Sequence, residues 1–227
     1  MPIDDLAVAF GKSFLFAFAA VLPIINPAAT APIFLSLTGS ASETTRTLLA
    51  GRIARNMFAL MVGAMLVGSF VLDFFGISLP IVRVGGGLIV AAHAWRLLNT
   101  SHVASDSRTE LAESFTPEAA IRQAFYPLTF PLSCGPGSIA VAITVGVSVH
   151  DPLLRVTMAR LGGGVLAIAL IGVLMYITFR YARQLLKPLG EAGMVVFLRL
   201  SAFILLCLGV QIVWDGVSEL LRGVLQA

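Results

Sequence analysis

Long apolar runs alternate with short polar breaks along the chain. Six runs stand out, at roughly 10–38, 52–74, 78–98, 121–148, 156–180 and 194–216. A membrane-spanning helix needs about 20 apolar residues. Each run reaches that length, so the pattern predicts an all-α membrane protein of six transmembrane helices. The longest polar stretch, Asn99 to Arg122, reads as a solvated linker between the third and fourth runs.

Two runs break the pattern. The first contains Val21-Leu22-Pro23-Ile24-Ile25-Asn26-Pro27-Ala28-Ala29-Thr30-Ala31-Pro32, which is overlong and carries three prolines. An interior proline removes a backbone donor and crowds the carbonyl four residues back. In lipid such a break survives only where protein or a cavity re-satisfies the freed groups. Asn is a favoured N-cap and Pro a favoured first helical residue. A half-helix is therefore predicted to begin at Asn26-Pro27 near mid-membrane, with the amides of Ala28 to Thr30 unsatisfied. The fourth run repeats the device with Pro127, Pro131 and Ser133-Cys134-Gly135-Pro136-Gly137-Ser138. Gly135-Pro136 stands where Asn26-Pro27 stands. Ile81-Val82-Arg83-Val84-Gly85-Gly86-Gly87 in the third run is echoed by Phe197-Leu198-Arg199-Leu200-Ser201-Ala202 in the sixth.

A repeat of three spans, an odd number, must invert its second copy. That predicts one polytopic domain over 1–227, with a first repeat at about 8–98, a linker at 99–120 and a second repeat at about 121–217. Proline-interrupted segments at matching positions point to a transport site at the membrane midplane. The two half-helix N-termini would face each other, and two positive dipole ends favour a carboxylate. The predicted substrate-binding set is Asn26, Pro27, Thr30, Ser133, Gly135, Pro136, Gly137 and Ser138. The glycines admit close approach, and the polar side chains offer neutral donors and acceptors.

Composition sharpens the class. Hydrophobic residues make up 58% and charged residues 12% of the 227, and mean hydropathy is +0.94. Those values exclude a soluble domain. The net charge of +3 suits an anionic membrane surface rather than nucleic acid. Loops after runs one, three and five hold nine basic residues and the other side holds four, with Arg83 and Arg199 set aside as intramembrane. By the positive-inside rule both termini lie outside the cytoplasm. The acidic start, Met1 to Asp5, lacks the basic region of a signal peptide, so the first span is expected to be retained. Cys134 and Cys207 fall in apolar runs and predict neither a disulfide nor a metal site.

These motifs carry a family resemblance. Asn26-Pro27 through Pro32-Ile33-Phe34-Leu35-Ser36-Leu37-Thr38, Ile77-Ser78-Leu79-Pro80-Ile81-Val82-Arg83-Val84-Gly85-Gly86-Gly87, and Ala124-Phe125-Tyr126-Pro127 through Ala140 look like the MarC family of bacterial inner-membrane proteins. The family is also grouped as neutral amino acid transporters, related to lysine-exporter-type transporters. The resemblance covers nearly the whole chain and implies six helices and a bacterial inner-membrane location. Ala29 stands where the family usually has Gly, and Ser133-Cys134 where Thr-Ala or Ala-Ala is common.

The remaining charges are few. Arg83, the most costly intramembrane charge, is expected to snorkel or to pair with Asp73 or Asp215, with a gating role as the alternative. Arg199 would be its inverted counterpart. His93, followed by Trp95 and Arg96, reads as an interfacial anchor rather than a proton relay. Gly85-Gly86-Gly87, Gly162-Gly163-Gly164, Gly63 and Gly68 read as helix-packing positions.

The functional expectation is a secondary transporter of small neutral amino acids or similar zwitterions. Its partners would be that substrate and membrane lipid, with homo-oligomerisation compatible and no cofactor or metal required. An aquaporin-like channel is the alternative, because Asn26-Pro27-Ala28 matches the aquaporin tripeptide; a non-transporting membrane regulator is another. An intramembrane enzyme is not expected, since no histidine is placed to serve Ser133 or Cys134.

Overall fold

A computed structural model of the chain describes residues 3–38, 41–99 and 124–225. The expected linker lies, apart from Asn99, outside the described residues. The described residues form eight α-helices and no strand. They are α1 (Ile3–Ile25), α2 (Pro27–Leu37), α3 (Glu43–Phe75), α4 (Leu79–Asn99), α5 (Pro136–Ser148), α6 (Leu154–Arg180), α7 (Ala182–Leu186) and α8 (Gly190–Leu225). A π-turn, Leu128–Ser133, precedes α5, and a 3-10 turn, Lys187–Leu189, precedes α8.

Five spans are long and apolar enough to cross a membrane: α1 with α2, α3, α4, α6 and α8. The expected fourth span appears as a shorter apolar helix, α5, behind a non-α stretch. Two helices outrun their apolar runs. α3 has 33 residues and α8 has 36, or about 50 Å each at 1.5 Å per residue. A hydrocarbon core is about 30 Å thick, so both project beyond it.

Local chemistry sets the ends of α3. Ser42 caps it by accepting from the Thr45 amide at 3.1 Å. Gly76, at φ 66°, ends it, and the amide of Ile77 reaches back to the Leu72 carbonyl at 2.9 Å. A left-handed residue there suits glycine, which has no Cβ to clash.

The main core lies between α1, α2, α3, α5 and α6. Met57, Met61 and Met65, one turn apart on α3, are buried with Ile168, Ile171 and Met175 of α6. Phe34 of α2 stacks on Phe179 of α6 with centroids 4.4 Å apart. α4 packs chiefly on α8, and the pair joins the rest through α5 and α2. Gly87 meets the Gly209 carbonyl and Gly216 the Pro80 carbonyl, so the two run antiparallel. A Cβ on Gly209 would stand 2.6 Å from the Ala91 amide. Small residues let backbones approach this closely where lipid supplies no hydrophobic drive between helices.

The packing role predicted for the glycine clusters holds for Gly86, Gly87, Gly163 and Gly68, each pressed on a neighbouring helix, but not for Gly85 or Gly63, which face open space. Only 17% of the apolar window of α3 is buried within the chain. Phe70, Phe74 and Phe75 stand exposed at its end. A soluble protein would bury such surface, whereas here it matches a lipid solvent.

Candidate substrate-binding site

The first break forms where the sequence places it. A continuing helix would press Pro27 against the carbonyl of Pro23. Instead Asn26 turns into the left-handed region at φ 43°, ψ 68°. Asn tolerates that region better than other non-glycine residues. Its side-chain oxygen accepts from the Ala29 amide at 3.2 Å. Its backbone carbonyl accepts from the amides of Ala29, at 3.1 Å, and Thr30, at 3.2 Å. The expectation of free amides from Ala28 to Thr30 is thus corrected for two of the three. What Asn26 retains is its side-chain Nδ2, which makes no hydrogen bond among the described residues.

The second break is built differently. The backbone winds into the π-turn at Leu128–Ser133, leaves helical geometry at Phe130, and restarts at Pro136. The Tyr126–Pro127 and Phe130–Pro131 bonds are cis. Gly135 is the N-cap of α5, at φ −90°, ψ 178°, and no side chain caps this helix. Pro136 has no amide to offer. The amides of Gly137 and Ser138, at the second and third helical positions, therefore form the uncapped end. The two half-helices differ: one start is closed by its own asparagine, the other lies open.

Both breaks line one cavity of about 140 Å³. Asn26, Ala29 and Thr30 come from the first break; Ser133, Gly135, Pro136, Gly137 and Ser138 come from the second. Seven of the eight predicted substrate-binding residues therefore meet there. Pro27 does not; it is buried beneath the turn. α4 and α8 supply the remaining walls, including Ile89, Val90, His93, Ser201 and Leu205. Sequence reasoning missed these walls. The echo between runs three and six was the available signal, since it marked those two runs as related.

The polar groups are already partly committed. Thr30 donates to the Asn26 and Pro27 carbonyls at 3.2 and 3.1 Å. Ser133 donates to Leu128, and Ser138 to Gly135, each at 2.8 Å. The three hydroxyls thus spend their protons locally and keep lone pairs as acceptors. Donors come from Asn26 Nδ2 and the open end of α5. Among the described residues no carboxylate, lysine or arginine lines the cavity.

Gly137 has a second duty. A Cβ there would lie 2.0 Å from Val90 Cγ2 and 3.1 Å from the Gly86 carbonyl, so it is a packing glycine against α4. Gly135 has room, its nearest neighbour being the Pro131 carbonyl at 3.6 Å. His93, expected as an interfacial anchor, lines the cavity and is exposed as well. Trp95 is 60% exposed, as an anchor would be.

The expected charge pairing needs correction. Arg83 of α4 pairs with Glu219 of α8, not with Asp73 or Asp215. Glu219 lies one turn beyond Asp215, and the antiparallel register of α4 and α8 brings it level with Arg83. Asp215 accepts instead from Gln211 on its own helix at 2.8 Å. Asp73 lends its backbone carbonyl to the end of α3. Arg199 is exposed and forms no ion pair among the described residues. None of these four lines the cavity. Cys134 is buried and Cys207 exposed, both as free thiols.

Comparison with known proteins agrees with the resemblance in the motifs. The sequence model of the MarC family, described as integral membrane proteins, matches residues 11–221. The chain is 31% identical over 213 residues to the inner membrane protein MarC of Escherichia coli O1:K1, covering 93% of this chain and 96% of that protein. It is 30% identical over the same length to the proteins of that name from Escherichia coli K12 and Shigella flexneri, with the same coverage. No solved structure matches the chain. With a family match from residue 11 to residue 221 and relatives aligned almost end to end, the chain belongs to the MarC family of integral membrane proteins.

Proposed function

We propose that this protein is a secondary transporter of small neutral amino acids or similar zwitterions, bound between the starts of α2 and α5. The observation that carries this is the convergence of two proline-broken segments, distant in sequence, on one small, mostly apolar cavity with a few polar groups at the breaks. The substrate carboxylate sits on the Gly137 and Ser138 amides, assisted by Asn26 Nδ2. The ammonium meets the hydroxyl lone pairs of Thr30, Ser133 and Ser138. A short side chain rests on the walls at Ile89, Val90 and Leu205. Size fits: a cavity of about 150 Å³ accommodates a benzene-sized molecule, and this one is close to that. No covalent chemistry is invoked, so the protein is not read as an enzyme.

Two inverted three-span halves complete the proposal, each with a discontinuous first span. The packing supports this pairing. Exchanging α1–α2 with the π-turn–α5 segment, α3 with α6 and α4 with α8 maps the principal contacts onto themselves. α3 packs on α5 as α6 packs on α1; α3 with α6, and α4 with α8, are self-paired. The similar bacterial proteins are named inner membrane proteins. A cytoplasmic-membrane location with both termini periplasmic is accordingly part of the proposal. Homo-oligomerisation is compatible with this reading, and particle size in detergent measures it.

Reconstituted vesicles loaded with labelled neutral amino acids test the proposal. Uptake or counterflow above protein-free vesicles, for at least one of them, is expected. An absence of flux across the whole panel, with folded protein in the vesicles, would overturn it. Binding has its own readout: a ligand at 100 times its Kd stabilises by about 2.7 kcal/mol, visible in a thermal-unfolding screen.

A further inference from the structure

A second cavity, of about 210 Å³, lies away from the transport site where α3 begins and α6 ends. We propose that it binds a phosphate-bearing anion, either a phospholipid headgroup or free phosphate. Its walls include Arg46 and Thr47 of α3, and Arg180, Tyr181 and Arg183 around the end of α6. Three guanidiniums line it against one carboxylate, the exposed Glu43.

The decisive residue is Arg46. It is only 7% exposed, and its Nη1 has no hydrogen-bond partner. It forms no ion pair among the described residues. A guanidinium cannot escape burial by losing its proton. An uncompensated buried charge is strongly destabilising, and this one sits four residues into α3, near the positive end of the helix dipole. Such a group calls for an anion. The other arginines are arranged for the same task. Arg180 stands over the Tyr176 and Tyr181 rings at 5.7 and 5.4 Å and donates to the Tyr176 hydroxyl at 2.6 Å. That holds its fork in place before any ligand arrives. Planar guanidiniums bind phosphate oxygens in pairs. A membrane-surface position gives phospholipid headgroups direct access, since the negative surface of an anionic leaflet attracts clustered arginines.

The test uses the full chain, delipidated in neutral detergent. One arm titrates sodium phosphate against sodium chloride at matched ionic strength. The other compares nanodiscs of phosphatidylcholine with nanodiscs containing phosphatidylglycerol, read by thermal unfolding and by native mass spectrometry of retained lipid. A shift in the phosphate arm alone identifies free phosphate, a shift in the lipid arm identifies the headgroup, and either sustains the proposal. Arg46→Gln is expected to weaken the binding by about tenfold or more, the scale of a lost charge-assisted contact. The exposed pair Arg180→Gln/Arg183→Gln guards against a folding defect in the first variant and is expected to weaken it severalfold. Arg222→Gln, elsewhere on the surface, is expected to leave it unchanged. The proposal falls if neither arm shifts the protein beyond its control. It falls equally if Arg46→Gln and the double variant both bind as the parent does.

Discussion

At the scale of single residues, the two breaks respond to substitution in opposite ways. Gly135→Ser places a hydroxyl where the open end of α5 lacks a cap. Serine in place of glycine at such a position adds a few tenths of a kcal/mol. The same hydroxyl occupies the amides assigned to the substrate carboxylate, so uptake is expected to fall about tenfold while the unfolding temperature holds or rises. Asn26→Asp keeps a capping oxygen but sets a carboxylate in a mostly apolar cavity, at a cost of about 3 kcal/mol on insertion scales. It replaces the free Nδ2 donor with a carboxylate that repels the substrate's own, and uptake is expected to be lost. Retained uptake in both variants, measured in the same vesicles, would move the site elsewhere. The sequence exposed these residues because proline and capping chemistry are local. It left hidden that Asn26 closes its own helix while Gly135 does not, since that depends on where the side chain folds back.

At the scale of helices, glycine positions divide by what lies opposite them. A Cβ at Gly146 of α5 would stand 2.0 Å from the Met65 carbonyl of α3, a backbone atom that cannot swing away. Gly146→Ala is therefore expected to destabilise by about 1–3 kcal/mol, the usual overpacking range. Gly63→Ala, five residues from Gly68 on the same helix but facing open space, is expected to be neutral or stabilising by up to about 1 kcal/mol. Chemical denaturation in detergent distinguishes them. The sequence marks both as small residues in an apolar helix; only the crossing of helices decides which one is needed. The same holds for Arg83. Its partner was legible only as some acidic group near a span end, and the register of α4 against α8 selected Glu219. The pair is partly exposed, with side chains 24% and 50% accessible. A double-mutant cycle on Arg83→Gln and Glu219→Gln is expected to yield a coupling below about 1 kcal/mol.

For the whole molecule, the division of labour lies between a core and a flank. α3 and α6 bury the methionine-rich core and touch none of the cavity, whereas α4 and α8 form its far wall and share few contacts with α3 or α6. The proposed transport requires the cavity to open alternately to each side. Rocking of the α4–α8 pair against the core is the movement this packing permits. Sidedness is testable in intact cells. Cysteine at position 12 in place of lysine is expected to react with an impermeant maleimide, and cysteine at position 183 in place of arginine only after the membrane is opened. The reverse result would invert the proposed orientation.

Apolar run lengths, proline positions and basic-residue asymmetry are properties of the chain read in order. Run lengths and prolines sufficed for the all-helical membrane class, the five long spans, both interruptions and most of the cavity's polar residues, because each reflects a rule local to its own segment; the basic-residue asymmetry bears only on the proposed orientation. The tertiary structure alone decided that the interruptions share a cavity, that α4 and α8 complete it, that His93 lines it, and that Arg46 is buried without a counter-charge. Those facts depend on which faces of distant helices touch. No local rule sets that, because lipid and protein interior are almost equally apolar and the same residues satisfy either.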